Sequence, residues 1–297
     1  MGMMTNWAAM HGGLSLVDRI VFGMAFVGAT AGMAQAEPQA RAAPPWPTGS
    51  KSSETLEQRL APPRGFVRSS VTRTSFGAWL RSLPMKPADS PVMLYTGVQK
   101  PRQDVHVGVI DIDVEKRDLQ QCADAVMRLR AEWLWGIGAK ERIAFDYTGG
   151  GRVPYTRYAA GERPNEDGKR WRRSAKADPS YTGFRRYMTN VFAYAGTYSL
   201  SRELISVPDG STPQIGDVVI KGGFPGHAVL VIDMAENALT GEKRFLLAQS
   251  YMPAQDIHVL KDPAAPDGSP WYAAPITWPL RTPEWTFEKG SLKRWAE

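Results

Sequence analysis

Two residues of this chain have the chemistry of a nucleophile and its base. Cys122 is the single cysteine, within "DLQQCADAVMRL", and His227, one of four histidines, opens the apolar run "HAVLVID". Unpaired backbone N–H groups near the start of a helix favour a thiolate, and a histidine on a neighbouring strand could accept the thiol proton as a general base. Cys122 and His227 are therefore candidate catalytic residues.

Core packing would also explain why Cys122 and His227 occupy these positions. Asp118 is predicted to cap a helix that runs to about Leu134, and Cys122 lies on its apolar stripe, one turn inside that cap. A thiol buried in this way is inert. His227 could likewise hold its imidazole at a sheet edge, bonded to the backbone. The sequence leaves the choice between core and catalysis open for each residue.

A third polar position follows in "LLAQSYMPAQDIHVL". Gln249 and Ser250 end a strand that is predicted to lie beside the strand of His227. A glutamine there could orient the imidazole through its second ring nitrogen, the third role in a catalytic triad, with Ser250 as a substrate-binding residue. A polar strand end before a turn at Met252 and Pro253 accounts for the same residues without catalysis.

The spacing of the histidines does not indicate a metal site. His106, His227 and His258 are scattered, with no H-x-x-x-H or C-x-x-C pattern. The chain also has no P-loop, no G-x-G-x-x-G after a strand and no G-x-S-x-G. We therefore expect neither a metal nor a cofactor.

The first residues have the pattern of a secretory signal peptide. Arg19 precedes an apolar run that ends in Ala34-Gln35-Ala36, which predicts a signal peptide at 1–36. The Pro- and Ala-rich stretch 37–60 is interpreted as a flexible linker, and 61–297 as a single domain. No later apolar run is long enough to span a membrane. These features predict an exported protein, periplasmic or secreted, without a membrane span after cleavage.

The net charge of +6 is concentrated around "KRWRRSAK" at 169–176. For an exported protein, this favours peptidoglycan or another anionic envelope polymer as a partner, and Trp171 and Arg186 are candidate binding residues. A solvated basic loop explains the same charges. Nucleic acid is a weaker alternative, although basic residues beside a tryptophan would suit it.

Periodicity predicts helices early in the chain and strands later. Helices are expected within "TSFGAWLRSLP", from Asp118 to about Leu134, from Asp178 to Gly196 and in "SLSREL". Strands are expected at 105–114, 217–221, 227–234, 244–250 and 256–260. The Pro-rich tail from Asp262 is expected to wrap the domain through its tryptophans without joining a sheet. This order predicts an α+β domain.

Four segments together resemble an uncharacterised family of mostly exported bacterial proteins, domain of unknown function 4846. They are "DIDVEKRDLQQCADAVMRLRAEWLW", "YAGTYSLSREL", "GHAVLVIDMAE" and "LLAQSYMPAQDIHVLKDP". The resemblance covers most of 60–290 and implies no particular activity.

A more distant resemblance concerns the strands around His227. "GDVVI…GHAVLVIDM" is similar to the "GDLVFF…HVGIYLG" signature of NlpC-type papain-fold peptidases, which cleave peptidoglycan stem peptides. This implies a papain-like core of antiparallel strands packed on helices, with His227 as base and Gln249 near the third polar position. Aligning "GFRRYMTNVFAYAGTYSLSRE" with that family's "DCSGFVQYVYKKAGISLPRTS" places Phe184 where the catalytic cysteine stands. Phe184 is then expected to line the groove.

Two hypotheses follow from these resemblances. In the first, the protein hydrolyses peptide or amide bonds of cell-wall material through a rearranged site around His227, Gln249 and Cys122. In the second, it is a non-catalytic module that keeps the groove, lacks the nucleophile and binds or scaffolds an envelope polymer.

Overall fold

The fold begins earlier in the chain than residue 61. The computed structural model describes residues 44–48 and 54–296, so the predicted signal peptide, 1–36, lies outside the described residues, as do 37–43 and 49–53 of the predicted linker. Within the rest of that linker, Trp46 packs edge-on against Trp79, and Leu56 is fully buried. These side chains bury apolar area in the core, so this part of the stretch belongs to the domain.

The α-helices of the described residues are short apart from two. Their bounds are α1 (Leu56–Arg59), α2 (Phe76–Arg81), α3 (Cys122–Gly136), α4 (Tyr155–Ala159), α5 (Tyr181–Tyr194) and α6 (Thr197–Glu203). None of the helices in this part of the chain has the length and apolar character needed to cross a membrane.

The strands are mostly short as well. They are β1 (Val67–Arg68), β2 (His106–Val109), β3 (Ala144–Asp146), β4 (Arg152–Pro154), β5 (Glu162–Pro164), β6 (Trp171–Arg173), β7 (Ile205–Ser206), β8 (Val218–Lys221), β9 (His227–Glu236), β10 (Lys243–Gln249), β11 (His258–Leu260), β12 (Tyr272–Ala274), β13 (Leu280–Arg281), β14 (Thr286–Phe287) and β15 (Leu292–Arg294).

Nine of these strands form one antiparallel sheet, and the fold is α+β as predicted. The strand order is β2-β11-β10-β9-β8-β15-β7, with β1 paired to β9 and β12 paired to β10. The prediction that the tail stays out of the sheet was wrong, because β12 and β15 both join it. Strand β12 is short enough to fit between Pro270 and Pro275.

Strand β9 separates two apolar cores. Leu230 and Ile232 face the helices, in a cluster that includes residues of α2, α3 and α5. Val229 and Val231 face the other way and pack with tail residues such as Phe287. Alternation along a strand places successive side chains on opposite faces, so a fully apolar run identifies a strand that is covered on both sides.

Two predicted boundaries move in ways that affect the candidate site. Helix α3 begins at Cys122, with Gln121 as its N-cap residue, and Asp118 does not cap it. Asp118 instead accepts hydrogen bonds from the Ala254 amide and the Gln121 side chain, at 2.7 and 3.0 Å. Helix α5 likewise begins after Ser180, whose hydroxyl accepts from the Gly183 amide. Asp178, the predicted cap of α5, instead accepts from the Ser180 amide at 3.1 Å.

Strand β2 is shorter than the predicted 105–114. It ends at Val109, and beyond it Asp113 forms ion pairs with Arg128 of α3 and Arg185 of α5 at 2.7 and 2.8 Å. The two guanidinium groups draw this segment away from the sheet and across the helices. Alternation alone could not reveal this, because the competing partners lie far along the chain.

Candidate functional site

A cleft of about 610 Å³ opens where β9 begins. Its walls come from the N-terminus of α3, the loop between β8 and β9, the turn after β10 and Trp285 of the tail. Cys122 and His227 both line it. The structure therefore brings the two candidate catalytic residues to one cavity, although they are more than a hundred positions apart.

Cys122 is the first residue of α3, so the expectation that it lies one turn inside the helix was wrong. Burial raises the pKa of its thiol to about 11, and the charge of nearby Asp124 contributes in the same direction. The backbone amides of Ala123 and Ala228 act in the opposite direction. The influence of the Ala228 amide shows that the thiol lies close to the start of β9, one residue after His227.

Asp124, two residues after the cysteine, closes the start of the helix. Its Oδ2 accepts a hydrogen bond from the Gln121 amide at 3.0 Å, and its Oδ1 is buried without a hydrogen-bond partner. Burial raises the pKa of this carboxyl well above its usual range. In its charged form, this carboxyl opposes formation of a thiolate at Cys122.

His227 is held among aromatic rings and is only 1% exposed. Its ring lies 4.8 Å from that of Tyr251, 5.3 Å from that of Trp285 and 5.8 Å from that of Phe287, measured between centroids. Burial lowers the pKa of its imidazole to about 4, the hydrogen bond to Gln249 opposes this, and the positive charge of Lys100 adds to the lowering. At neutral pH the imidazole is uncharged and can accept a proton.

A chain of buried polar groups fixes the orientation of this imidazole. Gln249 Oε1 lies 2.8 Å from His227 Nε2, and Gln249 Nε2 donates to Glu284 Oε2 at 2.8 Å. Glu284 in turn accepts from the Lys100 ammonium. If the glutamine amide were turned over, its oxygen would face the Glu284 carboxylate. Glu284 therefore keeps the amide oxygen directed toward His227.

These hydrogen bonds also determine the tautomers of His227 and His258. Because Gln249 Oε1 can only accept, His227 Nε2 carries the ring proton and Nδ1 keeps its lone pair. The second amide hydrogen of Gln249 points to His258 Nε2 at 3.2 Å, and His258 Nδ1 lies 2.9 Å from the carbonyl oxygen of Asp256. Nδ1 of His227 is thus the nitrogen available as a base.

The two candidate catalytic residues reach the cleft from different sides of the sheet. His227 alternates with Val229 and packs on the tail, whereas Ala228 faces the helices together with α3, which begins at Cys122. The cleft lies at the end of the sheet where β9 begins.

Phe184 is not part of the cleft, and its predicted role in binding substrate was wrong. It is fully buried on α5, where its ring stacks on Trp135 at 4.7 Å and packs edge-on against Tyr155 at 5.8 Å. An aromatic side chain at that position completes the core between helices. Its occurrence therefore says nothing about whether a nucleophile has been lost.

The other predicted binding residues also lie outside the cleft lining. Ser250 is buried and donates to the carbonyl oxygens of Gln255 and Gln120, at 2.8 and 3.1 Å, so it fixes the turn after β10. Trp171 lies on β6 beneath the Arg157 guanidinium, at 4.3 Å. The exposed side chain of Arg186 pairs with Asp178. The basic region of 169–176 contributes no residue to the cleft lining.

Sequence reasoning missed three residues of the site. Tyr251 and Trp285 enclose the imidazole, and Glu284 holds Gln249. Tyr251 follows Gln249 closely and could have been found from the strand end. Glu284 and Trp285 lie in "PEWTF" of the tail, which has no pattern that connects it to β9. No three metal-ligating side chains come together within the described residues.

We predict that Cys122 reacts slowly with iodoacetamide at neutral pH. Because burial raises the thiol pKa to about 11, the native rate should rise about tenfold per pH unit from about pH 8 to pH 10 without levelling off. The same protein unfolded in urea should level off near the ordinary cysteine pKa of about 8.5. A single cysteine makes the rate specific to this site. A plateau below about pH 9 in the native protein would contradict the prediction.

Residues 56–294 match the family described as domain of unknown function 4846, and the chain belongs to that family. Neither a curated protein nor a solved structure showed significant similarity to it.

Proposed function

We propose that the protein is a cysteine hydrolase of acyl bonds, with Cys122 as nucleophile, His227 as general base and Gln249 as the residue that orients the base. One observation carries the proposal: α3 starts at Cys122 on the cleft that His227 lines, while Gln249 holds the far nitrogen of the imidazole at 2.8 Å. A nucleophile, a base and a third group that orients the base are the three parts of a triad.

In the proposed reaction, the acyl group passes to sulfur and then to water. His227 Nδ1 takes the thiol proton as the sulfur attacks the carbonyl carbon, and the carbonyl electrons move to oxygen. Backbone N–H groups at the start of α3 stabilise that oxygen. Collapse of the intermediate breaks the bond to the leaving group, which takes the proton from His227. Water, deprotonated by the same nitrogen, then attacks the thioester and releases the acid and the free thiol.

At neutral pH, attack by this thiol would require general-base assistance. With the thiol pKa raised to about 11 by burial and the imidazole pKa lowered to about 4, both groups are neutral at pH 7. The proton must therefore move during the attack, because no thiolate–imidazolium pair exists beforehand. This requires Nδ1 to be unprotonated, which the hydrogen bond of Nε2 to Gln249 favours.

The sequence resemblance implies a papain-like, NlpC-type core, and the proposed nucleophile lies on α3 in place of α5. A helix start carries the thiol, one antiparallel strand carries the base, and the next carries the orienting group. We propose that this is such a core. With the predicted export, it would act on peptide or amide material of the cell envelope.

The test is acyl transfer from p-nitrophenyl acetate, a small activated ester. The full chain should release a burst of nitrophenolate and gain one acetyl group on Cys122, located by intact and peptide mass spectrometry. The Cys122→Ala variant, which keeps the helix and lacks the sulfur, should show neither. An equal burst from the variant, or no acetyl group on wild-type Cys122, would overturn the proposal in favour of the non-catalytic binding module.

A further inference from the structure

Two apolar side chains stand exposed at the rim of the cleft. Phe224, in the loop between β8 and β9, is 84% exposed, and Met252, in the turn after β10, is 66% exposed. Strands β8 and β10 flank β9, so the two loops stand on either side of His227. Exposed apolar side chains that are grouped at a cleft indicate a binding surface, whereas singly scattered ones are ordinary.

The loop that carries Phe224 is held against α6. The Thr197 hydroxyl donates to the Gly223 carbonyl oxygen at 3.1 Å, and the Phe224 ring stacks on that of Tyr198 at 6.4 Å. A Cβ on Gly226 would lie 2.2 Å from the Thr197 hydroxyl oxygen, and one on Gly222 would meet α6 equally closely. The backbone is thus packed too tightly for larger residues, and it presents Phe224 outward in a fixed position.

The turn that carries Met252 is held from below. Asp118 accepts from the Ala254 amide at 2.7 Å, and the Ser250 hydroxyl donates to the Gln255 carbonyl oxygen at 2.8 Å. The Met252 side chain projects from this turn. An unbranched thioether side chain adapts to apolar groups of different shapes, as at other adaptable binding surfaces.

Much of the cleft wall between these two side chains is apolar. Leu119, Phe192, Ala195 and Trp285 contribute to its walls. Its ionisable lining consists of two carboxyl groups, one thiol, one phenol and one imidazole, with no lysine or arginine among the described residues that line it: Asp118, Asp124, Cys122, Tyr251 and His227. This chemistry matches an uncharged, apolar group and opposes a negatively charged one.

We propose that Phe224 and Met252 determine specificity for an uncharged apolar acyl group, which lies between them while its carbonyl carbon is at Cys122. This inference rests on the proposed acyl-transfer function and names the substrate class for the same site. It assigns an aliphatic or aromatic acyl chain, or a peptide with such a side chain, to the cleft. An anionic envelope polymer would have to bind elsewhere on the protein.

Three p-nitrophenyl esters test the proposal: the acetate, the hexanoate and the monoester of adipate, which matches the hexanoate in length and ends in a carboxylate. Each methylene that is buried favours binding by roughly fourfold, so kcat/KM for acylation should be about tenfold or more higher for hexanoate than for acetate. The adipate monoester should be acylated more slowly than the hexanoate. Rates are corrected with Cys122→Ala.

Phe224→Ala and Met252→Ala should each lower the hexanoate-to-acetate ratio by about three- to tenfold. Leu239→Ala is the matched control: Leu239 is 96% exposed on the turn between β9 and β10, at the other end of the sheet, and its replacement should leave the ratio unchanged. Equal rates for hexanoate and acetate, a faster adipate monoester, or ratios that the two variants do not change would overturn this inference. Absence of acylation by all three esters would instead overturn the proposed function.

Discussion

Replacement of His227 by alanine is expected to slow acylation of Cys122 by p-nitrophenyl acetate by about 10²- to 10⁴-fold, the usual contribution of a general base. The effect should be large because the thiol pKa is raised to about 11, so that almost no thiolate exists at neutral pH without a base. The measurement is the rate of the nitrophenolate burst at pH 7. Added imidazole should restore part of the rate, since it can enter the space left by the side chain.

His106→Ala is the matched control for this experiment. His106 lies on β2 and packs edge-on against His258 at 5.9 Å, but it does not line the cleft. Its replacement should change the burst rate by less than about twofold, because general-base catalysis needs direct hydrogen-bond reach. Equal losses in the two histidine variants would show that the effect is structural.

The same assay has an expected pH dependence. Burial lowers the pKa of His227 to about 4, and only the unprotonated imidazole can accept the thiol proton. The acylation rate of the wild-type protein should therefore persist below pH 6, where an ordinary histidine has already lost its activity, and should fall as the pH approaches 4. A fall centred near pH 6.5 would contradict this assignment of the base.

Replacement of Asp233 by alanine should destabilise the fold by about 3–5 kcal/mol, because it leaves a buried charge without its partner. Asp233 is fully buried on β9, where its Oδ1 accepts from Arg81 Nε at 2.6 Å and its Oδ2 accepts from Arg68 Nε at 2.7 Å. Arg81 lies on α2 and is itself nearly fully buried. The carboxylate thus joins α2 and β1 to the central strand. Urea unfolding gives the free energy of unfolding.

Asp104→Ala provides the comparison. Asp104 pairs with Arg102 at 2.8 Å, a distance similar to those at Asp233, but the two side chains are 68% and 50% exposed. Solvent screens that pair, so the loss of unfolding free energy should be much smaller than the loss at Asp233. In a double variant, Asp233→Ala with Arg81→Leu should be less destabilised than the sum of the two single variants, because the uncompensated charge is removed. Similar losses at Asp233 and Asp104 would contradict the assigned role of the buried pair.

Much of the local structure could be predicted from the sequence. The α2 helix follows its Ser75 cap, the hydroxyl of which accepts from the Ala78 amide, and β8 to β11 lie close to the predicted runs. His227 begins its strand and Gln249 ends the next, as predicted. These features depend on capping groups and apolar periodicity within a few residues, and that information is fully present in the local sequence.

Part of the candidate site could be predicted in the same way, and part could not. Once β9 and β10 were predicted to be antiparallel neighbours, their polar ends had to meet, which brings Gln249 to His227. The sequence left Cys122 open between the core and the site, and alignment placed Phe184 of α5 where a nucleophile would stand. Packing on the sheet brings the start of α3 and Cys122 to the cleft.

The position of Asp233 also could not be predicted from local alternation. Strict alternation would place it on the tail face with Val231, but the register of β9 against β10 shifts near this point, and Asp233 reaches Arg81 of α2 on the helix face. Glu284 likewise reaches Gln249 from a Pro-rich tail with no local signal. The sequence by itself determined the longer helices and the central strands, the positions of His227 and Gln249 and the single thiol. Only the tertiary structure decided that Cys122 shares their cleft, because that depends on packing between segments that are far apart in the chain.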